Sequence, residues 1–204
     1  MNIKNLKAKT GKFLLLNKNN LKTLEPRKNV LDGNIKYWLK NKELIALKKG
    51  FYVIREKYEK EPDKGLYLEY AANRIVWPSY ISLEYVLAKY QLLSEPAQAI
   101  TSITIKTTRE VSNELNIFRY YTITEKLFTG YKIKYFQGAA VMEAGKPKAL
   151  FDFLYLRFLR NEAINTDTIA NLRINWENLN RKEFREVYSY LKFSNSRRLK
   201  KYWI

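Results

Sequence analysis

The chain has no cysteine and no histidine. Without cysteine there is no disulfide framework and no thiolate metal site. Without histidine there is no Ser-His-Asp triad, no Cys-His nucleophile and no zinc site with imidazole ligands. Long apolar runs are missing too. The longest, residues 13–16 and residues 149–156 with Asp152 inside, fall far short of a bilayer span. The basic N-terminus carries too short an apolar stretch for a signal peptide, and no cleavage site follows. These absences predict a soluble, cytoplasmic protein with no membrane partner. Acids are scarce as well: 20 Asp and Glu stand against 38 Lys and Arg, a formal charge of +18.

What is present is apolar enough for packed cores, at 46% hydrophobic over 204 residues, one or two domains' worth of chain. The excess charge is uneven: +11 in residues 1–60, +2 in 61–150 and +5 in 151–204. Abundant Lys, Asn, Ile and Tyr fit an AT-rich coding bias. The same bias would favour Glu, so the shortage of acids points instead to a polyanionic partner.

The charge falls on a compact pattern. Residues 2–11 form a short helix capped by Asn2 and ended by Gly11, 13–16 a buried strand, and 17–24 a second helix stopped by Glu25-Pro26. A third helix spans 29–42, with Asn29 as cap and Asp32 in the capping-box position. Leu31, Ile35, Trp38 and Leu39 share its apolar face, leaving Gly33, Lys36, Tyr37 and Lys40 opposite. A tight hairpin over 44–54 comes next, carrying Lys48 and Lys49 at its turn. Helices followed by a two-stranded basic wing are the layout of a winged helix-turn-helix. Such a unit sets a helix in a duplex groove and the wing on phosphates. The expected groove-facing group is Lys36, Tyr37 and Lys40, with Arg27, Lys28, Lys48 and Lys49 on the phosphates of double-stranded DNA.

Residues 55–64 read as a polar linker ending in the turn signal Pro62-Asp63-Lys64-Gly65. The expected division is therefore a DNA-binding domain, 1–60, and an α+β domain, 66–204. In the second, helices at 66–76 and 82–92 precede strands at 99–107, 117–123, 131–136 and 139–142, in a mainly antiparallel sheet. Pro147 opens a buried helix, 148–160. A basic helical tail completes the chain, with Asn180 capping 181–193 through a capping box with Glu183, and Arg197, Arg198, Lys200 and Lys201 beyond.

Four segments resemble the AbiEi-type antitoxins of bacterial abortive-infection (toxin–antitoxin) systems. They are the wing Leu47-Lys48-Lys49-Gly50-Phe51-Tyr52; the block from Ala71 to Leu87, containing Pro78-Ser79-Tyr80-Ile81-Ser82; Thr107-Thr108-Arg109 with Phe118-Arg119-Tyr120-Tyr121 and Phe128-Thr129-Gly130; and Ala144-Gly145-Lys146-Pro147-Lys148-Ala149-Leu150-Phe151-Asp152. The chain departs from the family at Pro147, where a glutamate is common. The resemblance implies an autorepressor that binds inverted repeats in its own promoter and neutralises a nucleotidyltransferase-like toxin, by direct contact or otherwise. Asp152 in an apolar helix calls for a partner, either Lys148 one turn earlier or a surface outside the chain. Lys148, Asp152, Arg181, Arg185 and Lys192 are the candidate toxin-neutralising residues.

No catalytic residue, metal or cofactor is expected. Glu143-Ala144-Gly145-Lys146 is similar to the acid–lysine pair of restriction-type nucleases, but the spacing is three rather than two and no second acid lies upstream. The glycine–lysine pairs lack a P-loop frame. Two other readings remain, a nucleic-acid-processing enzyme and a transcription factor with a ligand-binding second domain.

Overall fold

The computed structural model of the chain describes residues 2–159 and 166–194. Helices α1 (Ile3–Thr10), α2 (Lys18–Leu24) and α3 (Lys28–Lys40) enclose strand β1 (Leu16–Asn17) and lead into the hairpin β2 (Leu44–Lys48) and β3 (Phe51–Ile54). Asparagines start two of the helices. Asn2 Oδ1 accepts from the Asn5 amide and Asn17 Oδ1 from the Asn19 amide, satisfying donors a helix start leaves orphaned. Gly50, at φ +83°, closes the hairpin. The sheet is antiparallel, in the order β1-β3-β2.

Three local expectations change. The cap of α3 is Arg27 and makes no side-chain bond to the helix, so Asn29 lies inside the first turn. The reason is the buried Glu25, whose carboxylate holds the Arg27 guanidinium at 2.9 Å and fixes the turn before the helix. Asp32 is drawn away from a capping box by Lys18, 2.5 Å distant across α2 and α3. The strand expected at 13–16 shrinks to Leu16–Asn17, because the Phe13 amide turns back onto the Thr10 carbonyl and leaves the Phe13 ring exposed.

The hairpin buries both its faces. Leu44, Tyr52 and Ile54 join Leu6, Leu21, Leu31, Ile35 and Trp38 in one core, while Ile45, Leu47 and Val53 enter the core of the rest of the chain. Period-two alternation thus serves two cores at once. The stretch expected to be a linker is ordered: α4 (Arg55–Glu59) continues directly from β3. Arg55 bonds the Lys42 carbonyl and pairs with Glu114, and the Lys57 ammonium bonds the Gly11 and Phe13 carbonyls at 2.8 and 2.9 Å. Residues 1–60 are therefore packed against the remainder of the chain by a shared apolar core as well as by α4.

Helix α5 (Lys64–Ile75) is capped by Asp63 and buried along most of its length. After it come strand β4 (Ser79–Ile81), helix α6 (Leu83–Lys89) and strands β5 (Ile100–Thr104), β6 (Arg109–Ser112), β7 (Ile117–Thr122), β8 (Tyr131–Phe136) and β9 (Ala139–Ala144). Helices α7 (Lys146–Leu159), α8 (Thr166–Ala170) and α9 (Arg181–Phe193) complete the described chain. The second sheet runs β6-β7-β5-β4-β9-β8. It is mixed rather than mainly antiparallel, since β5 pairs with β7 and β4 with β9 in parallel. Two short strands account for this: β4, hidden in the Pro78–Ser82 stretch, slots between β5 and β9, and β6 takes the outer edge of β7, leaving β7 parallel to β5. Neither β4 nor β6 is among the strands expected from the sequence. Strand β5 is buried on both faces; Thr101 and Thr104 satisfy their hydroxyls on the Ser82 and Pro78 carbonyls at 2.6 Å.

The tail helix obeys its local signal. Asn180 and Glu183 form the reciprocal capping box, and Val187 and Leu191 anchor α9 on the core. The basic residues Arg197, Arg198, Lys200 and Lys201 lie outside the described residues.

Candidate nucleic-acid interface

Helix α3 is positioned by its apolar stripe. Leu31, Ile35 and Trp38 are buried against the hairpin and the first two helices, which turns the opposite stripe outward. On that stripe Lys36, Lys40 and Tyr37 are exposed, Tyr37 at 63%. One turn before Lys36 and Tyr37 on the same stripe, a Cβ built on Gly33 would meet nothing within 4 Å. No internal packing asks for glycine there, although glycine in a helix interior costs ~1 kcal/mol relative to alanine. The result is a cationic, aromatic face with a bare stretch of backbone, open to a large partner.

The four residues expected on phosphates separate. Lys28, at the start of α3, and Lys49, at the hairpin turn, are exposed. Arg27 is exposed, but its guanidinium is bidentate on Glu25, at 2.9 and 3.2 Å. Lys48 does not fit the expectation. Its ammonium donates to the Ile75 carbonyl at 2.5 Å and lies 4.3 Å from the Phe51 ring centroid. Burial pushes its pKa below the ordinary lysine value, with the Arg109 charge adding to the effect. The turn of the hairpin is thus clamped to the C-terminal end of α5, a hold reinforced by Asn113, whose side-chain amide bonds the Leu47 carbonyl at 3.0 Å. The Arg109 charge acts on Lys48, and its neighbour Lys106 is exposed as well. Neither Lys106 nor Arg109 stood out in the sequence as a basic site. The signal was there, in the run from Lys106 to Arg109, but its nearness to residue 48 depends on the pairing of β6 with β7.

The candidates for toxin contact also divide. Lys148 and Asp152 are fully buried, so no partner can reach them. The ammonium and carboxylate meet at 2.5 Å; the ammonium also bonds the Leu127 carbonyl at 3.0 Å, and the carboxylate accepts from Tyr80 Oη at 3.0 Å and Ser82 Oγ at 2.7 Å. Desolvation pushes the Asp152 pKa up and the Lys148 pKa down, and their mutual attraction opposes both shifts. The pair is a rivet joining β4, the start of α6, the 3-10 turn at Glu125–Leu127 and α7. It also explains Ser82: its hydroxyl serves Asp152, not the first turn of α6. Gly130 is required alongside, because at φ +77° its Cβ would collide with Tyr190 Oη and stand 3.1 Å from Lys148 Cδ.

Arg181, Arg185 and Lys192 are exposed on α9. At about 100° per residue the three fall within roughly 40° of one another, one stripe turned away from Val187 and Leu191. Glu143 and Lys146 go separate ways. Glu143 pairs with Lys134 and with Lys89 at 3.0 Å, beside Glu69, whereas Lys146 pairs with Glu183 at 2.8 Å. Among the described residues no group of three or more acids is placed to hold a metal ion, and no helix is long and apolar enough to cross a membrane.

Compared with known proteins, the chain matches no protein-family model and no curated protein.

Proposed function

We propose that the chain is a DNA-binding antitoxin that represses its own operon and neutralises a nucleotidyltransferase-like toxin. The observation that carries the DNA-binding part is the outward stripe of α3, where Lys36, Tyr37 and Lys40 follow the bare backbone of Gly33. In this reading residues 1–60 form a winged helix-turn-helix. The order α1-β1-α2-α3-β2-β3 and the sheet order β1-β3-β2 support it. Helix α3 then lies in the major groove, and Lys28 and Lys49 rest on the flanking phosphates. Because its turn is clamped on α5, the wing is a rigid phosphate support rather than a free arm.

The antitoxin part rests on the motif resemblance, and the stripe Arg181, Arg185 and Lys192 supplies a surface for an acidic patch on the toxin. The test is duplex binding to the chain's own promoter. Replacing Lys36 and Lys40 together with alanine should relax base discrimination by ~1–3 kcal/mol. Unchanged affinity and sequence preference would remove α3 as the reading helix. Charge reversal at Arg181, Arg185 and Lys192 should abolish rescue of toxin-inhibited growth and leave operator binding intact. Full rescue by that variant would remove α9 from the neutralising surface.

A further inference from the structure

A cleft of about 430 Å³ opens where the N-terminal helices meet α5 and the turn between β8 and β9. That volume suits a small organic ligand, and junctions of this kind are favoured places for one. Its lining includes two cations, Lys12 from one side of the junction and Arg74 from the other, and no acid. Phe13, 48% exposed, contributes an aromatic face with little to cover it, and Asn17 and Asn20 contribute amides.

Arg74 is the informative residue. Its guanidinium is held between two rings, 5.2 Å from the Tyr70 centroid and 5.7 Å from that of Trp77. The residue also lines the cleft, and an arginine fork set between rings is shaped for a carboxylate or phosphate.

We propose that this cleft binds a small organic anion: a flat aromatic body bearing one carboxylate or phosphate, gripped by Arg74 and Lys12. The anionic group pairs with the Arg74 guanidinium where it lines the cleft, and the flat body packs on the exposed Phe13 ring. Such a ligand touches both sides of the junction. It therefore stabilises the packing of residues 1–60 on the rest of the chain by mass action.

The full-length chain tests this directly. Benzoate and phenyl phosphate stand for simple aromatic anions, adenosine 5′-monophosphate for nucleotides, and inorganic phosphate and benzyl alcohol for the charge and the flat body alone. At least one flat anion should raise the melting temperature saturably and change the fluorescence of Trp77, the latter response vanishing in Trp77→Phe. Whether the first two or the nucleotide responds more strongly identifies the source. Arg74→Gln should weaken binding at least about tenfold, the expected loss of a charge-assisted bond. Arg74→Lys, with a far-ultraviolet spectrum matching the parent, should retain part of it. Three results would overturn the proposal: no response to any flat anion at 10 mM or so, an equal response to inorganic phosphate or benzyl alcohol, or unchanged binding by Arg74→Gln. So would weaker duplex binding by Arg74→Gln and Lys12→Gln without any small anion, which would make the cleft part of a DNA phosphate track. The small-anion outcomes do not depend on whether α3 reads DNA.

Discussion

Removing the ammonium of Lys148 isolates a carboxylate inside the protein, and the cost can be worked from its contacts. In Lys148→Met the apolar stem is nearly conserved, so packing against Phe151, Tyr80 and Tyr190 changes little. Asp152 keeps the Tyr80 and Ser82 hydroxyls but loses its only ionic partner among the described residues while remaining fully buried. Breaking one side of a buried pair costs ~3–5 kcal/mol, which for a chain of this size corresponds to a melting temperature lower by roughly 6–20 °C. Adding Asp152→Asn removes the charge and keeps an oxygen for the two hydroxyls. The double variant should therefore recover most of the loss and lie within ~2 kcal/mol of the parent. The pH dependence supplies an independent sign. Desolvation already holds the Asp152 pKa above the ordinary value of 3.8 with Lys148 in place, and losing the ammonium, which opposes that shift, raises it further. A raised carboxyl pKa contributes stability that is present below the unfolded value and lost as pH rises through the folded one. The penalty of Lys148→Met should shrink as the solution is acidified. Urea unfolding monitored by circular dichroism, at neutral pH and near pH 4, measures all three. A single variant within ~1 kcal/mol of the parent, or a double variant no better than the single, would refute the rivet.

Three further outcomes are expected. Gly33→Ala should stabilise the protein by ~1 kcal/mol, since its Cβ meets nothing, yet weaken promoter binding if DNA approaches that backbone; tighter or equal binding would remove the close approach. Lys49→Ala should lower the salt slope of duplex binding by about one unit, whereas Lys48→Ala should leave the slope alone and lower stability, because its ammonium is already bound to Ile75. Lys134 and Lys89 hold the Glu143 pKa below the ordinary 4.5 against desolvation, so its contribution is present above that value and lost as pH falls. Urea midpoints between pH 7 and pH 3 should therefore fall less steeply for Glu143→Gln than for the parent.

Elements whose cause lies within a few residues are legible in the chain itself. The apolar stripe of α3, the caps Asn2 and Asn180, the capping box with Glu183, the hairpin at 44–54 and strand β8 are all written in local periodicity and capping chemistry. The outward cations of α3 come from the same periodicity, because burying Leu31, Ile35 and Trp38 leaves Lys36, Tyr37 and Lys40 nowhere to go but solvent. Even so, Asp32 deceives, since a capping box and an ion pair with a residue on the preceding helix use the same carboxylate.

Composition by itself settled the absence of thiol and imidazole chemistry and the concentration of positive charge in the first sixty residues. Tertiary structure decided which of those charges remain available. Lys48 is taken by a carbonyl 27 positions along the chain, and Asp152 is enclosed by hydroxyls 70 and 72 positions earlier. Strand β4 exists only because β5 and β9 flank it with hydrogen-bonding partners, and its pairing with β9 is one of the two parallel pairs in the sheet. A lysine in a basic wing and a lysine bonded to a helix end carry the same local pattern. What separates them is a contact between distant segments, and only the folded chain brings those segments together.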